Sequence, residues 1–527
     1  MSQPNFILFI TDQQNAGHLG AYGNTVIQTP NLDELAAKGW KAESMYVATP
    51  ICMPNRSSLM TGRMPSLHGV RHNGIPLPLE SVTFVDLLRE AGYETALVGK
   101  SHLQNMTATG PQWPRPTDPK TVGEALRPDG RNYDQESEIR WRNDPDHDLE
   151  TPFYGFSRVI LTVNHGDRVW GHYWRWLESQ YPEVAKQAGP EHATPTPEFE
   201  LNRCRQAWRT RVPEELSTNA YVGEKTRELI REWAQQDKPF FIQCSFPDPH
   251  HPLTPHGKYW DMYDPDSIDL PASFHASRTH TPPAHVAWLY KQREQSKAIK
   301  NTPMLFSCTE REAREAIALT YGSISHIDHV IGEVMAELRT QNLAENTVVI
   351  FMSDHGDYMG DHQLLLKGAI HYRSLIRTPF IWADPSAAPL HNNEDAFAST
   401  IDIPASILDR AGLTPYNGLQ GKSLLPVMTN QLRSVRSRVL IEEESQRMMF
   451  GLGTRVRMRT LRNEGYRLSV YDQVDLGELY DLKRDPMELD NLWTSEAYKA
   501  EKSAMLEALA MEMLAHTEVS PNPTAIA

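Results

Sequence analysis

Residues able to do acid–base or metal chemistry follow four short apolar runs in this 527-residue chain. An apolar run without alternation is typical of a strand buried on both faces of a parallel sheet. The carboxyl ends of such strands meet at one edge of the sheet, where ligands bind. We therefore expect one site, made from the residues that follow these runs. The runs are Phe6–Ile10, Ala96–Val98, Phe240–Ile242 and Val348–Met352. The residues that follow them are, in the same order, Asp12 and Gln13, Lys100 and His102, His250, and Asp354 with His355.

The first and last of these runs deliver potential metal ligands, namely Asp12, Gln13, Asp354 and His355. Mostly oxygen ligands favour a hard divalent cation, with calcium first and magnesium or manganese as alternatives. Zinc is disfavoured because no His or Cys cluster with zinc spacing lies nearby. Taken singly, Asp12 or Asp354 fits a helix cap or a turn equally well.

The segment from Cys52 to Arg63 reads CMPNRSSLMTGR and carries a nucleophilic side chain at the start of a predicted helix. Pro54 fits the first turn of that helix. A helix N-terminus lowers the pKa of a thiol and attracts anions. The alternative is a buried structural cysteine, which is the commonest role of a single thiol.

Apolar runs that alternate with amphipathic helix patterns predict a doubly wound, mostly parallel α/β sheet flanked by helices. Residues 1–432 are expected to form this large domain, with an irregular, tryptophan-rich insertion at about 104–212. Residues 433–527 are expected to form a smaller α+β domain. Its predicted strands Arg455–Thr460 and Tyr466–Tyr471 are antiparallel, and a helix over Ser495–His516 follows them.

Composition limits the partners and the compartment. The net charge of −15 disfavours nucleic acid and anionic membranes as partners, although an anionic substrate needs local cations. Four cysteines are too few for a disulfide framework, and no apolar stretch reaches the length of a membrane span. With no signal-peptide pattern at the start, we expect a cytoplasmic protein. The C-terminal helix could support a homo-oligomer.

The segment CMPNRSSLMTGR resembles the signature of the type I sulfatases of the alkaline phosphatase superfamily. The segments TDQQ, GKSH, PHHP and SDHGDYMGDH, followed by Lys367, resemble the other motifs of this family in the same order. This resemblance spans nearly the whole chain. It implies an alkaline-phosphatase-like fold and a sulfate monoester as substrate. It also implies a maturation enzyme that oxidises Cys52 to formylglycine, and one divalent metal bound by Asp12, Gln13, position 52, Asp354 and His355.

The same resemblance assigns the catalytic roles. Arg56 and Lys100 hold the formylglycine and the sulfuryl oxygens, while Lys367 and His250 face the leaving group. His102 takes the proton that allows sulfate to be eliminated and the aldehyde to be regenerated. This cationic cluster would supply the local positive charge that the acidic chain otherwise lacks.

Two alternatives to a sulfatase remain, namely a phosphonate monoester or phosphodiester hydrolase and a non-catalytic binding protein. TDQQ, the Asp354–His355 pair and Asn73, a predicted substrate-binding residue, also resemble the phosphonate monoester and phosphodiester hydrolases. Those enzymes carry Tyr and Thr where this chain has Lys100 and His102, which favours sulfate, with promiscuous activity on phosphoesters and phosphonates. A non-catalytic binding protein would have no reason to keep both an oxidisable cysteine and a leaving-group histidine.

No motif includes His165 and His172, which lie in the tryptophan-rich insertion, and we expect structural roles for both. Because loops generally carry specificity, the insertion is expected to shape an aromatic leaving-group pocket that includes Trp170 and Trp174.

Overall fold

The computed structural model describes residues 3–107, 109–110, 125, 129–385 and 396–526. These residues form the strands β1 (Asn5–Thr11), β2 (Trp40–Lys41), β3 (Ser44–Tyr46), β4 (Glu94–Lys100), β5 (Arg158–Val163), β6 (Trp170–Gly171), β7 (Phe240–Ser245), β8 (Phe306–Ser307), β9 (Thr347–Ser353), β10 (Leu364–Leu365), β11 (Phe380–Ala383), β12 (Phe397–Ser399), β13 (Arg438–Met448), β14 (Arg455–Asn463), β15 (Tyr466–Tyr471) and β16 (Gly477–Asp481).

The α-helices are α1 (Pro30–Lys38), α2 (Cys52–Thr61), α3 (Pro65–His68), α4 (Phe84–Glu90), α5 (Glu138–Asn143), α6 (His172–Gln180), α7 (Pro182–Ala185), α8 (Glu200–Arg203), α9 (Thr218–Trp233), α10 (Ala272–Ala276), α11 (Ala284–Glu294), α12 (Glu310–Thr340), α13 (Arg373–Ile376), α14 (Asp402–Arg410), α15 (Leu425–Met428) and α16 (Lys499–Ala515).

The central sheet has the strand order β2-β11-β9-β1-β7-β4-β5-β6. Its five inner strands, β9, β1, β7, β4 and β5, run parallel, and antiparallel strands complete both edges. Every residue of β1 is buried. Ile7 and Phe9 pack into one core with helices α1, α9 and α12, whereas Phe6, Leu8 and Ile10 pack into another with α2, α4 and α14. The predicted α/β fold with helices on both faces is confirmed.

A second sheet, β13-β14-β15-β16, is antiparallel throughout. One face packs against Met505 and Leu509 of α16, and the other packs against a core that includes Tyr358 and Tyr372. The predicted hairpin and terminal helix are therefore present. The backbone N–H of Glu442 in β13 donates to the carbonyl of Ala48 at 2.9 Å, so this sheet contacts the segment that leads into α2.

The region predicted to be irregular, about 104–212, contains regular elements that extend the central sheet. Strand β5 pairs in parallel with β4, and β6 pairs with β5. The continuous apolar run in β5 is only Val159–Leu161 and lies in a segment rich in loops, so it was not predicted as a strand. Among the described residues, no helix combines the length and apolarity that a membrane crossing requires.

Candidate active site

The sheet register brings the predicted site residues to one edge. Thr11, the last residue of β1, pairs with Ser353 of β9, and Ile10 pairs with Ser245 of β7. Gly99 of β4 also pairs with Ser245. A side chain at Gly99 would lie 1.9 Å from the Ser245 carbonyl oxygen, so only glycine allows this close approach. The polar residues after these strands consequently converge, as predicted.

Cys52 is the first residue of α2 and is 1% exposed. Its Sγ lies 2.9 Å from Lys367 Nζ and 3.2 Å from His355 Nε2. Asn73 Oδ1 accepts the N–H of Met53 at 3.1 Å, so its oxygen stabilises the first turn of this helix. Burial raises the pKa of the Cys52 thiol, but Lys367, Lys100 and His355 together outweigh this effect, and the pKa falls to about 7.

Four of the predicted ligands form a candidate metal site: Asp12, Cys52, Asp354 and His355. Their ligand atoms lie within 4.8 Å of one another, and all four side chains are buried. The two carboxylates and the imidazole fit a hard divalent cation. The residues present therefore fit the metal that the motifs imply.

Gln13, the fifth predicted ligand, lies beside these four. Its backbone N–H donates to Asp354 Oδ1 at 3.1 Å, and its Oε1 accepts from Lys367 Nζ at 3.0 Å. Its backbone φ of 68° is in the left-handed region, which is uncommon outside glycine and clusters at functional sites.

Arg56 extends from the first turns of α2 under the site and is 2% exposed. Its Nε donates to Asp354 Oδ2 at 2.8 Å, and its Nη1 donates to the carbonyl of Lys100 and to Ser245 Oγ. Its Nη2 makes no hydrogen bond within the described part of the chain and lies 3.7 Å from Asp12 Oδ2. That nitrogen is therefore a donor that an anionic substrate can use.

Lys100, at the end of β4, is fully buried and its Nζ donates to Asp12 Oδ2. Burial raises the pKa of the Asp12 carboxyl, but Lys100 and the other cationic groups outweigh this effect and hold the pKa well below its ordinary value. Asp12 is consequently an anion, as a metal ligand has to be.

His102 lies two residues beyond β4, and its backbone N–H donates to Glu136 Oε2 at 2.7 Å. Glu136 also accepts from Ser101 Oγ and from the backbone N–H groups of Leu103 and Gln104, so one carboxylate holds this loop. Burial and nearby Lys100 place the pKa of His102 well below its ordinary value. His102 is therefore a neutral imidazole, and its buried Nδ1 has no hydrogen-bond partner among the described residues.

His250 and Lys367 contact each other, with Lys367 Nζ 3.0 Å from His250 Nε2. His250 Nδ1 faces the carbonyl of His251, an acceptor only, so Nδ1 carries the ring proton and Nε2 accepts from Lys367. The ammonium of Lys367 is thus the group that holds a transferable proton here. Burial lowers the pKa of Lys367, but Cys52 and Asp12 outweigh this effect and raise it.

Two residues of the site, Glu136 and His165, were not predicted from the sequence. His165 follows β5, and its Nε2 lies 2.6 Å from Lys100 Nζ. His165 therefore lies within the candidate active site, where a purely structural role had been expected. The strand-end rule would have identified it if Arg158–Val163 had been recognised as a strand. The structural role expected for His172 fits, because its Nδ1 accepts the N–H of Leu161 at 2.9 Å.

A family model described as "Sulfatase" matches residues 4–413. The chain belongs to the sulfatase family. A second model, described as "N-sulphoglucosamine sulphohydrolase, C-terminal", matches residues 360–515 of this sulfatase. The family assignment confirms the expectation of a sulfuric-ester hydrolase.

Curated relatives cover nearly all of this sulfatase. An arylsulfatase from Clostridium perfringens (strain 13 / Type A) is 27% identical over 521 residues, which is 97% of this chain and 94% of that protein. A choline-sulfatase from Rhizobium meliloti (strain 1021) is 26% identical over 93% of this chain and 82% of its own length. The solved phosphonate monoester hydrolase of Agrobacterium radiobacter shares the fold, with a TM-score of 0.74 at 24% identity, over 98% of this chain and 96% of that one.

Proposed function

We propose that this sulfatase hydrolyses a sulfate monoester to an alcohol or phenol and sulfate, with a formylglycine made from Cys52 as the nucleophile. The observation that carries the proposal is the position of Cys52 Sγ. It lies at a helix N-terminus, 3.2 Å from a candidate metal-ligand imidazole and 2.9 Å from the Lys367 ammonium. Sγ stands where the formylglycine oxygen would lie after maturation.

Two groups complete the site. A divalent cation, when bound by Asp12, Gln13, position 52, Asp354 and His355, lowers the pKa of a hydroxyl and offsets negative charge on the sulfuryl group. Formylglycine, once hydrated, supplies a hydroxyl nucleophile and allows sulfate to leave by elimination. Calcium is our first choice of metal, and manganese or magnesium are the alternatives.

Residues of the chain would bind the sulfuryl group, protonate the leaving group and accept the proton in the elimination step. Arg56 Nη2 and the Lys100 ammonium hold the sulfuryl oxygens, because both are buried cationic donors beside Asp12. Lys367, hydrogen-bonded to His250, stabilises and protonates the leaving oxygen. His102, neutral and with a free Nδ1, accepts the proton in the elimination step.

Asn73 remains a proposed substrate-binding residue, with a qualification from the structure. Its Oδ1 already accepts the N–H of Met53, so the amide nitrogen is the part that could reach a substrate.

A phosphonate monoester or phosphodiester hydrolase with the same machinery is the second candidate. Lys367 contacts both Gln13 and His355. These are the two predicted metal ligands whose motifs resemble those of the phosphonate monoester and phosphodiester hydrolases. Against it stand Lys100 and His102, which resemble the sulfatase pattern. Rates of the matured enzyme on a nitrophenyl sulfate, a phosphonate monoester and a phosphodiester should be compared under one set of conditions. We expect the highest kcat/KM on the sulfate, and a far higher value on the phosphonate would reverse the choice.

The nucleophile is tested by the substitution Cys52→Ser, with Cys204→Ser as the matched control. A serine oxygen can attack sulfur but cannot eliminate sulfate, so we expect a sulfated protein and little turnover. Cys204 is half-buried at the end of α8 and its substitution should leave the rate unchanged. Full turnover by the Cys52→Ser variant would exclude the proposed nucleophile.

A further inference from the structure

His165 connects the two sides of the site. Its Nε2 lies 2.6 Å from Lys100 Nζ, on the side where we place the sulfuryl oxygens. Its ring stacks on the ring of His250, on the leaving-group side, with centroids 3.7 Å apart and an interplanar angle of 13°. His250 stacks in turn on His251 at 4.1 Å and 25°. The three imidazoles thus form a continuous stack.

The hydrogen-bonding state of His165 follows from its partner. His165 Nε2 lies 2.6 Å from Lys100 Nζ, which only donates, and 3.4 Å from Asp12 Oδ2, which only accepts. The shorter contact favours Nε2 as an acceptor, with the ring proton on Nδ1. The side chain is 13% exposed, whereas Lys100 is fully buried. His165 is therefore the more exposed member of this pair.

Asp12, His165 and His250 could also be regarded as a second set of metal ligands, since their ligand atoms lie within 4.8 Å of one another. The candidate metal site on Asp12, Cys52, Asp354 and His355 argues against this role. Asp12 already belongs to that site, so a second cation would share its carboxylate and have only two imidazoles of its own. Two imidazoles are a poor ligand set for a hard divalent cation, which prefers oxygen.

We propose that His165 is a positioning residue with two separable contacts: its Nε2 holds the Lys100 ammonium for the sulfuryl oxygens, and its ring fixes the plane of His250 for the leaving group. This inference rests on the proposed roles of Lys100 and His250 in sulfate-ester hydrolysis. Without the first contact, Asp12 is the one hydrogen-bond partner that the Lys100 ammonium keeps within the described part of the chain. Without the second contact the His250 ring loses one of its two stacking neighbours.

Two substitutions separate these contacts. His165→Phe keeps an aromatic ring on His250 and removes the acceptor for Lys100. His165→Gln keeps a polar acceptor at about the position of Nε2 and removes the ring. The same two changes at His192, whose side chain is 48% exposed in the same part of the chain, are the matched controls.

The readout is kcat/KM over a series of aryl sulfates whose phenols differ in pKa. For His165→Phe we expect a loss of about ten- to a hundredfold that is the same for every ester, because a hydrogen bond to a charged group is lost on the sulfuryl side. For His165→Gln we expect a loss that grows as the leaving group becomes poorer, by about two- to tenfold across the series, because the stacked ring no longer orients His250. The slope against leaving-group pKa does not depend on the folded fraction of each sample.

Two results would overturn the inference while the wild type and the His192 variants hydrolyse the esters. One is unchanged kcat/KM in both His165 variants. The other is a loss with the wild-type slope in both, which is what a merely structural residue would give. A matured wild type that is inactive on every sulfate ester would instead refute the proposed function on which the inference rests.

Discussion

Lys367→Met tests the cationic side of the site most sharply. Methionine is also unbranched, is one heavy atom shorter than lysine, and removes the charge. The ammonium lies 2.9 Å from Cys52 Sγ, 3.0 Å from His250 Nε2 and 3.0 Å from Gln13 Oε1, so one substitution removes the group that faces all three.

The magnitude follows from these distances. Two unit charges about 3 Å apart at an effective dielectric constant of about 20 interact with about 5–6 kcal/mol. If about half a charge develops on the leaving oxygen near His250, the transition state loses about 3 kcal/mol, or about a hundredfold in kcat. The loss should be larger for alkyl sulfates than for nitrophenyl sulfate, because poorer leaving groups carry more charge.

The assay is steady-state kinetics on both classes of ester, with Lys291→Met as the control. Lys291 is exposed on α11, and the same substitution there should leave kcat unchanged. A Lys367→Met enzyme with wild-type kcat, or with the same loss on every ester, would refute the role given to this ammonium.

Two further predictions concern the metal and the C-terminal sheet. Asp354→Asn should lower the bound metal measured by elemental analysis, because it removes one of two carboxylates from the candidate site, and Asp237→Asn, at an exposed position, should not. Glu478→Gln should destabilise the protein at neutral pH by about 3–5 kcal/mol, because it leaves the fully buried Arg467 without one of its two carboxylate partners.

The pH dependence of the Glu478 effect has a definite sign. Burial raises the pKa of Glu478, but Arg467 and His285 outweigh it and place the pKa well below its ordinary value. The ion pair therefore stabilises the fold above the unfolded pKa of about 4.3 and progressively less as the pH falls below it. Thermal melting should show the variant approaching the wild type in acid. A gap that stays constant, or an equal effect from the exposed control Glu464→Gln, would contradict this assignment.

The sequence predicted those parts of the fold that depend on local pattern. The run Phe6–Ile10 is apolar at every position because β1 is covered on both faces, and Asp12 follows directly where the strand ends. The position of Cys52 at a helix N-terminus was likewise predictable, because Pro54 is typical of the first turn of a helix and follows two residues later.

The side-chain contacts across the site could not be predicted from the sequence, because they join distant parts of the chain. Glu136 is separated by more than thirty residues from the loop after β4 that it holds, and no motif surrounds it. His165 was missed because strand β5 was not recognised. The hydrogen bond from Asn73 to the helix that begins at Cys52 also depends on tertiary packing.

Peptide mass spectrometry of an active preparation tests the central claim most directly. Trypsin should release Ala42–Arg56, which contains Cys52, since Lys41 and Arg56 are the flanking cleavage sites. We predict a peptide in which an aldehyde oxygen replaces the thiol sulfur and two hydrogens are lost, in an amount that follows specific activity across preparations. A fully active enzyme whose peptide carries only unmodified cysteine would contradict the account.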